Sequence, residues 1–206
     1  LAFLSDGSLE IVWGFRREAA RFSLDDSYDR SVIEGTIFTD ILTGNDQNNL
    51  FRPKGGLTPN TAYPNTGFGS TYDAIDGMGG IDTVDFSASS AAIMWGAGPP
   101  TDSDGRPIRL VSIENIIATA FDDMFSGTDA ANRLEGGAGN DTITTGRGGD
   151  TILGGAGVDT VVYTDSNGTV QVNLTLQRGY NNYADSDTYE SIENATGSNF
   201  ADILDR

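Results

Sequence analysis

The chain reads GGAGNDTIT, TGRGGDTIL and GGAGVDTVV in succession between Gly136 and Val162, which makes three units of nine residues. In each unit Asp is the sixth residue and an aliphatic residue is the eighth, while small residues, mostly glycine, occupy the first, second and fourth positions. A unit of this length is too short for a helix and a strand together, but it accommodates a turn of about six residues and a strand of about three. The spacing therefore predicts a coil of short parallel strands joined by glycine-rich turns.

Seven further stretches keep the same frame, beginning at residues 35, 44, 68, 77, 118, 127 and 197. Their sixth residues are Asp40, Asn49, Asp73, Asp82, Asp123, Asn132 and Asp202. Asp thus stands at the sixth position in eight of the ten units. The eighth positions, among them Phe125, Leu134, Ile143, Ile152 and Val161, are predicted to point inward and to form a narrow core.

Successive turns of such a coil fall on alternate edges, so turns two units apart share an edge. Asp141 is then expected to stack on Asp123 and Asp159, and Asp150 on Asn132. Carboxylates stacked at roughly 4.8 Å per layer repel one another unless a cation lies between them. Carboxylate and carbonyl oxygens, in a chain without His or Cys, favour calcium over zinc or copper, and magnesium requires stricter octahedral geometry. The sequence therefore predicts several bound Ca²⁺ ions.

These units resemble the repeats-in-toxin (RTX) family, whose hemolysin-type calcium-binding nonapeptide has the form GGxGxDxUx. GGAGNDTIT and GGAGVDTVV match every specified position, whereas TGRGGDTIL departs only at the first glycine. The resemblance implies an all-β fold, a right-handed parallel β-roll or β-solenoid with calcium between adjacent turns. It also implies an extracellular protein exported by type I secretion.

Calcium ligands are expected from the sixth-position side chains and from the glycine-rich turns. The candidate metal-binding residues are Asp40, Asp73, Asp82, Asp123, Asn132, Asp141, Asp150, Asp159, Gly80, Gly137, Gly139, Gly148, Gly155 and Gly157. In the units with degenerate glycines, the alternative that Asp caps its own turn stays open. The asparagines of two units, Asn49 and Asn132, leave open an Asn ladder or a cap.

A longer repeat of about 80 residues contains the short one. FxD occurs at 38–40, 121–123 and 200–202, and SIEN at 112–115 and 191–194. We predict a partial N-terminal module end with a strand and a short helix at 1–34, a first module at 35–117 with an inserted loop at 53–67, a second module at 118–196 with its best-preserved β-roll at 118–163, and the start of a third at 197–206.

Three finer expectations accompany this division into modules. Residues 96–107 and 176–187 take equivalent places in their modules and are predicted to be loops. Residues 14–22 are predicted to form the short helix. The FxD phenylalanines, Phe38, Phe121 and Phe200, are predicted to fill the core at the module joins.

Composition excludes several classes of function. A net charge of −18 disfavours nucleic acid as a partner, and no apolar run approaches the 18 or so residues of a membrane span. Without His and Cys, HExxH metalloproteases, Ser–His dyads and thiol nucleophiles are excluded. A carboxylate pair for glycoside chemistry stays open, although no pair stands apart from the repeat. We therefore predict that the chain is not an enzyme.

The sequence thus predicts a calcium-dependent structural module of a secreted or cell-surface bacterial protein of the adhesin, surface-layer or matrix type. Its expected partners are calcium and other copies or neighbouring modules of a larger surface assembly. The alternative is the non-catalytic calcium-binding repeat domain of an extracellular enzyme, such as a polysaccharide epimerase, lipase or protease.

Overall fold

The computed structural model describes residues 2–3, 9–10, 21–23, 32–35, 41–53, 74–95, 108–181 and 186–206. Within these ranges the regular structure is entirely β-strand. The strands are β1 Ala2–Phe3, β2 Leu9–Glu10, β3 Arg21–Ser23, β4 Val32–Glu34, β5 Ile41–Thr43, β6 Leu50–Arg52, β7 Ala74–Asp76, β8 Thr83–Asp85, β9 Arg109–Val111, β10 Asn115–Ile117, β11 Met124–Ser126, β12 Arg133–Ala138, β13 Thr142–Thr144, β14 Thr151–Ala156, β15 Thr160–Val162, β16 Val170–Asn173, β17 Arg178–Asn181, β18 Ser186–Glu190, β19 Asn194–Thr196 and β20 Ile203–Asp205.

From β3 to β15 the chain alternates between two faces of a coil. One face is a ten-stranded sheet in the order β20-β16-β17-β18-β14-β12-β10-β8-β6-β4. The other face consists of two four-stranded sheets, β3-β5-β7-β9 and β11-β13-β15-β19. Neighbouring strands along the coil are parallel and in register, so that Ile143 lies between Phe125 and Val161. The described residues form a parallel β-roll, which confirms the predicted all-β fold class.

Most of the core is a column of side chains along each face. The eighth-position residues supply it as predicted: Phe125, Leu134, Ile143, Ile152 and Val161 are all 0% exposed. Three-residue strands bury only the middle side chain, because successive side chains of a strand point to opposite faces. Such a core is thin, so the turns must supply much of the cohesion.

The two module joins are built alike. Met94 forms a parallel bridge with Met124, and β16 pairs in parallel with β20. Asp123 accepts a hydrogen bond from the N–H of Ile93 at 2.7 Å, and Asp202 accepts one from the N–H of Val170 at 2.9 Å. The long repeat therefore recurs in the hydrogen bonding as well as in the sequence. Its exact module boundaries stay predictions.

Two of the finer expectations, the loop at 176–187 and the helix at 14–22, disagree with the structure where it describes these residues. Residues 176–187 were expected to be a loop, but β17 and part of β18 lie there and pair antiparallel. Arg21 and Phe22, at the end of the predicted helix, lie in β3. The remainder of that helix, the 54–67 part of the inserted loop and residues 96–107 lie outside the described residues.

The FxD phenylalanines do not fill the core. Phe121 is 42% exposed and Phe200 is 52% exposed, while Phe38 lies outside the described residues. Phe121 and Phe200 are the fourth residues of their units and therefore lie in the turns. The side chains that point inward come from the strands that follow the turns. Trp95 fills the join instead, with its ring packed edge-on against Phe86 and Phe125 at 6.4 and 6.1 Å between ring centres.

No helix in the described part of the chain is long and apolar enough to cross a membrane.

Candidate metal centre

The glycine-rich turns stack directly on one another along each edge. Gly137 and Gly155 both have positive φ, 104° and 108°, a conformation that side chains disfavour. A Cβ on Gly155 would lie 2.0 Å from the carbonyl oxygen of Gly137, one layer away. All the glycines nominated by the sequence share the positive φ: Gly80, Gly137, Gly139, Gly148, Gly155 and Gly157. Their direct role is to let turns approach closely.

The sixth-position side chains form ladders between these stacked turns. The N–H of Asp123 donates to Oδ1 of Asp141 at 2.8 Å, and the N–H of Asp141 donates to Oδ1 of Asp159 at 2.8 Å. On the other edge the N–H of Asn132 donates to Oδ1 of Asp150 at 2.8 Å. The neighbours expected from the spacing therefore do meet.

The first module contains an equivalent ladder. The N–H of Asn49 donates to Oδ1 of Asp82 at 2.7 Å. The N–H of Asp82 in turn donates to a carboxylate oxygen of Glu114 at 2.8 Å. One oxygen of each ladder carboxylate therefore accepts a hydrogen bond from a backbone N–H of the preceding layer.

The turns differ in whether the second oxygen of the sixth-position carboxylate, Oδ2, has a hydrogen-bond partner. Oδ2 of Asp82, Asp141 and Asp159 is buried and has no hydrogen-bond partner. These residues are at most 1% exposed. A buried charged oxygen without a partner carries a large desolvation cost. Burial is the main reason why the pKa of Asp141 is raised to about 7 and that of Asp82 to about 6. A backbone hydrogen bond to each carboxylate opposes this rise, and neighbouring carboxylates add to it.

Four other turns close on themselves through the backbone N–H of the second residue. Thr119 donates to Oδ2 of Asp123 at 2.7 Å, and Ser198 donates to Oδ2 of Asp202 at 2.6 Å. Two asparagine turns do the same, from Thr128 N–H to Asn132 and from Asn45 N–H to Asn49. In these turns the sixth side chain acts as a cap.

The second residue separates the two kinds of turn. Positive φ is found there in the turns of Asp82, Asp141, Asp150 and Asp159, at Met78, Gly137, Gly146 and Gly155 respectively. In the self-capped turns the second residue is Asn, Thr or Ser, which is a polar residue with a side chain. This distinction is visible in the sequence, but the nonapeptide frame alone does not draw attention to it.

The open turns offer the donors that calcium prefers. A Cβ on Gly136 would lie 2.2 Å from Oδ2 of Asp141 and 2.6 Å from the carbonyl oxygen of Gly154. The space beside these two oxygens is therefore kept free of side chain. Within the described ranges no group of three acidic side chains suited to a metal occurs, so backbone carbonyls must complete any coordination. Carboxylate and carbonyl oxygens at flexible turns fit Ca²⁺.

On the edge that contains Asn132 and Asp150, the next layer is formed by Asp187, and both of its carboxylate oxygens have hydrogen-bond partners. The N–H of Asp150 donates to Oδ1 of Asp187 at 2.9 Å, and the hydroxyl of Tyr163 donates to Oδ2 of Asp187 at 2.5 Å. The hydroxyl of Tyr189 lies against that of Tyr163. Burial, with these two neighbours, raises the pKa of Tyr163 well above its ordinary range. Asp187 is not among the predicted ligands, because it lies outside the nine-residue frame.

Two nominated ligands, Asp40 and Asp73, lie outside the described residues. Among comparisons with known proteins, the family model described as RTX calcium-binding nonapeptide repeat (4 copies) matches residues 126–161. No curated protein matches the chain significantly. The matched stretch contains Asn132, Asp141, Asp150 and Asp159 together with the stacked glycines between them. Residues 126–161 of this chain are therefore RTX calcium-binding nonapeptide repeats.

Proposed function

We propose that the chain is a calcium-dependent structural module of a secreted or cell-surface bacterial protein, of the adhesin, surface-layer or matrix type. Its repeats are a non-catalytic calcium-binding module. The observation that carries the proposal is the set of buried, unpartnered Oδ2 atoms at Asp82, Asp141 and Asp159. A folded chain needs something positive beside them.

The ions are assigned to the open turns. Asp82, Asp141 and Asp159 provide the unpartnered oxygens, and Asp150 shares their turn geometry through Gly146, whose φ is 88°. The self-capped residues, Asp123 and Asn132 among them, hold their turns closed through protein hydrogen bonds. The proposed calcium set is thus narrower than the nine-residue frame by itself predicts.

Folding and calcium binding are coupled in this proposal. Without calcium, stacked buried carboxylates oppose the coil, and the thin core offers little to offset them. Bound calcium supplies the positive charge that the carboxylates lack, so its binding free energy contributes to folding free energy. A chain of this kind would fold in a calcium-rich exterior and stay unfolded where calcium is scarce.

The proposed setting is supported by composition. A chain with a net charge of −18 and no cysteine relies on neither disulfides nor a basic surface, and calcium can provide the cross-links instead. Parallel coils also present open edges, on which neighbouring modules or other copies can stack. Such stacking would suit an extended surface assembly.

The test is a calcium titration followed by circular dichroism in the far ultraviolet. The calcium-stripped chain is expected to lack β signal and to regain it cooperatively as calcium is added. Magnesium at the same concentration serves as the control and is expected to restore little. Full native signal in excess chelator would refute the proposal.

A further inference from the structure

Each SIEN turn replaces a full nonapeptide turn with a shorter one. The strand pairings place residues 77–82 opposite the three residues 112–114. At the second join they place residues 154–159 opposite 191–193. Half of the turn is missing at both joins, yet the strands on either side stay in parallel register.

Glutamate takes the place of the ladder aspartate in the shortened turn. The N–H of Asp82 donates to Oε2 of Glu114 at 2.8 Å, and the N–H of Asp159 donates to Oε2 of Glu193 at 2.9 Å. In a full turn the same N–H reaches an aspartate Oδ1. The extra methylene of glutamate compensates for the shorter backbone, so each ladder extends to the glutamate of its SIEN turn.

At the first join several oxygens face a common space. Ser112 has a φ of 50°, which is unusual for a residue with a side chain. A Cβ on Gly77 would lie 2.2 Å from the Ser112 carbonyl oxygen and 2.4 Å from Oδ2 of Asp82. That Oδ2 is buried and has no hydrogen-bond partner. Glu114 is close enough for its charge to act on the Asp82 carboxylate.

The second join repeats this arrangement 79 residues later, counted from Ser112 to Ser191. Ser191 has a φ of 56°. A Cβ on Gly154 would lie 2.0 Å from the Ser191 carbonyl oxygen and 2.4 Å from Oδ2 of Asp159. Oδ2 of Asp159 is again buried and unpartnered, and the charge of Glu193 acts on it. Both sites thus combine a serine of positive φ, a glycine with no room for a side chain and a buried carboxylate oxygen without a hydrogen-bond partner.

We propose that the end of each module is itself a calcium site, completed by the SIEN turn: Asp82 with Glu114 and the Ser112 carbonyl, and Asp159 with Glu193 and the Ser191 carbonyl. Two carboxylates and a carbonyl are hard oxygen donors of the kind calcium binds. The left-handed serine aims its carbonyl where a full turn would present that of its first glycine. Each site links the SIEN turn at the end of a module to the last full turn of the same module, next to the join.

The test compares two charge-removing substitutions with a matched control. Glu114→Gln and Glu193→Gln keep an oxygen that can accept the aspartate N–H, but they remove the carboxylate. Glu190→Gln removes the same charge from the exposed end of β18, three residues from Glu193. Bound calcium is counted by native mass spectrometry on the full chain, and the calcium midpoint of the β signal is measured in parallel.

Each SIEN substitution is expected to remove one bound calcium, and the double variant two, while Glu190→Gln leaves the count unchanged. Unchanged counts and midpoints in both SIEN variants would overturn the proposal, since the glutamates would then be only hydrogen-bond acceptors. If a variant stays unfolded in saturating calcium, trivalent terbium is titrated; recovery of the β signal supports the site and no recovery overturns it. The inference rests on the proposed function, and the two fail separately: a wild-type chain that folds without calcium refutes only the calcium-dependent module.

Discussion

The backbone N–H of Asp141 donates a hydrogen bond of 2.8 Å to Oδ1 of Asp159, the sixth residue of the unit that lies two repeats further along the chain. The same carboxylate leaves Oδ2 buried and unpartnered. One carboxylate oxygen of Asp159 therefore binds the backbone of the neighbouring turn, and the other is left for a cation. These two roles of one short carboxylate explain why Asp, and neither Asn nor Glu, occupies the sixth position of the best-preserved units.

Replacing Asp159 by Asn separates these two roles. The amide keeps an oxygen for the N–H of Asp141, but it has no charge for calcium. We expect the calcium midpoint of folding to rise about ten-fold or more, in line with the loss of roughly 1.5–3 kcal/mol for an interaction with a charged group. Asp129→Asn, at an exposed residue, removes an equal charge as the control. Equal midpoints for the two variants would contradict the assignment.

Turns with an unpartnered Oδ2 have a second residue of positive φ, whereas self-capped turns have Asn, Thr or Ser there. This rule predicts that a glycine at the second position can convert a self-capped turn into one that binds calcium. Ala118 and Thr119 stand where the full repeat has two glycines, and Thr119 closes the turn by donating its N–H and hydroxyl to Asp123. The double change Ala118→Gly and Thr119→Gly removes a Cβ and the capping hydroxyl together. We expect one additional bound calcium, counted by native mass spectrometry, and lower stability at low calcium.

The control for the opened turn is the pair Ala131→Gly and Thr128→Gly, in a unit whose sixth residue is Asn132. This pair also adds two glycines to one turn, but the turn has no sixth-position carboxylate. It is expected to lose stability without gaining calcium. A gain in both variants, or in neither, would argue against the rule.

The period of the sequence was sufficient to predict the stacking and the core. Because parallel layers repeat every two units, it placed Asp141 beside Asp123 and Asp159 and turned Ile143 inward, and both expectations are confirmed. Period alone could not distinguish an open turn from a capped one. That difference depends on a single backbone torsion at the second residue, as in Met78, whose φ of 70° its side chain gives no reason to expect.

Other features depended on contacts far apart in sequence. Tyr163 meets Asp187 across 24 residues and an intervening hairpin, and no local pattern links them. Phe121 illustrates the opposite error: an aromatic residue in a recurrent motif was assigned to the core, although its place in the turn leaves it 42% exposed. Hydrophobicity was a poor guide there, because the fourth position of a unit lies in the turn and not in an inward-facing strand position.

The calcium-free chain should fold better in mild acid than at neutral pH. Burial raises the pKa of Asp141 from 3.8 to about 7 and that of Asp82 to about 6, so the folded chain holds protons there that the unfolded chain has already lost. Stability from these groups is full below pH 3.8 and is lost as pH rises through 6 to 7. We expect more β signal at pH 5 than at pH 7.5 in a calcium-stripped sample.

This pH dependence is measured by circular dichroism with a chelator that still binds calcium at pH 5. The double variant Asp82→Asn and Asp141→Asn lacks both carboxyl groups and should flatten the profile. A β signal that grows from pH 5 to pH 7.5 in the wild-type chain would show that these carboxylates do not govern calcium-free folding.

Tyr163→Phe tests whether a hydroxyl closes the layer at Asp187. The change removes the hydrogen bond to Oδ2 of Asp187 and keeps the ring, so the packing is disturbed little. The equivalent residue of the first join is Phe86, whose backbone carbonyl accepts the same turn hydrogen bond as that of Tyr163.

We expect the free energy of unfolding, measured by urea titration in saturating calcium, to fall by about 1–3 kcal/mol, the cost of depriving a buried polar group of a partner. Tyr180→Phe, at a tyrosine that is 48% exposed, should change it by less than about 0.5 kcal/mol. Similar losses in the two variants would mean that the Tyr163 hydroxyl contributes nothing specific, and that Asp187 is held by its other contacts.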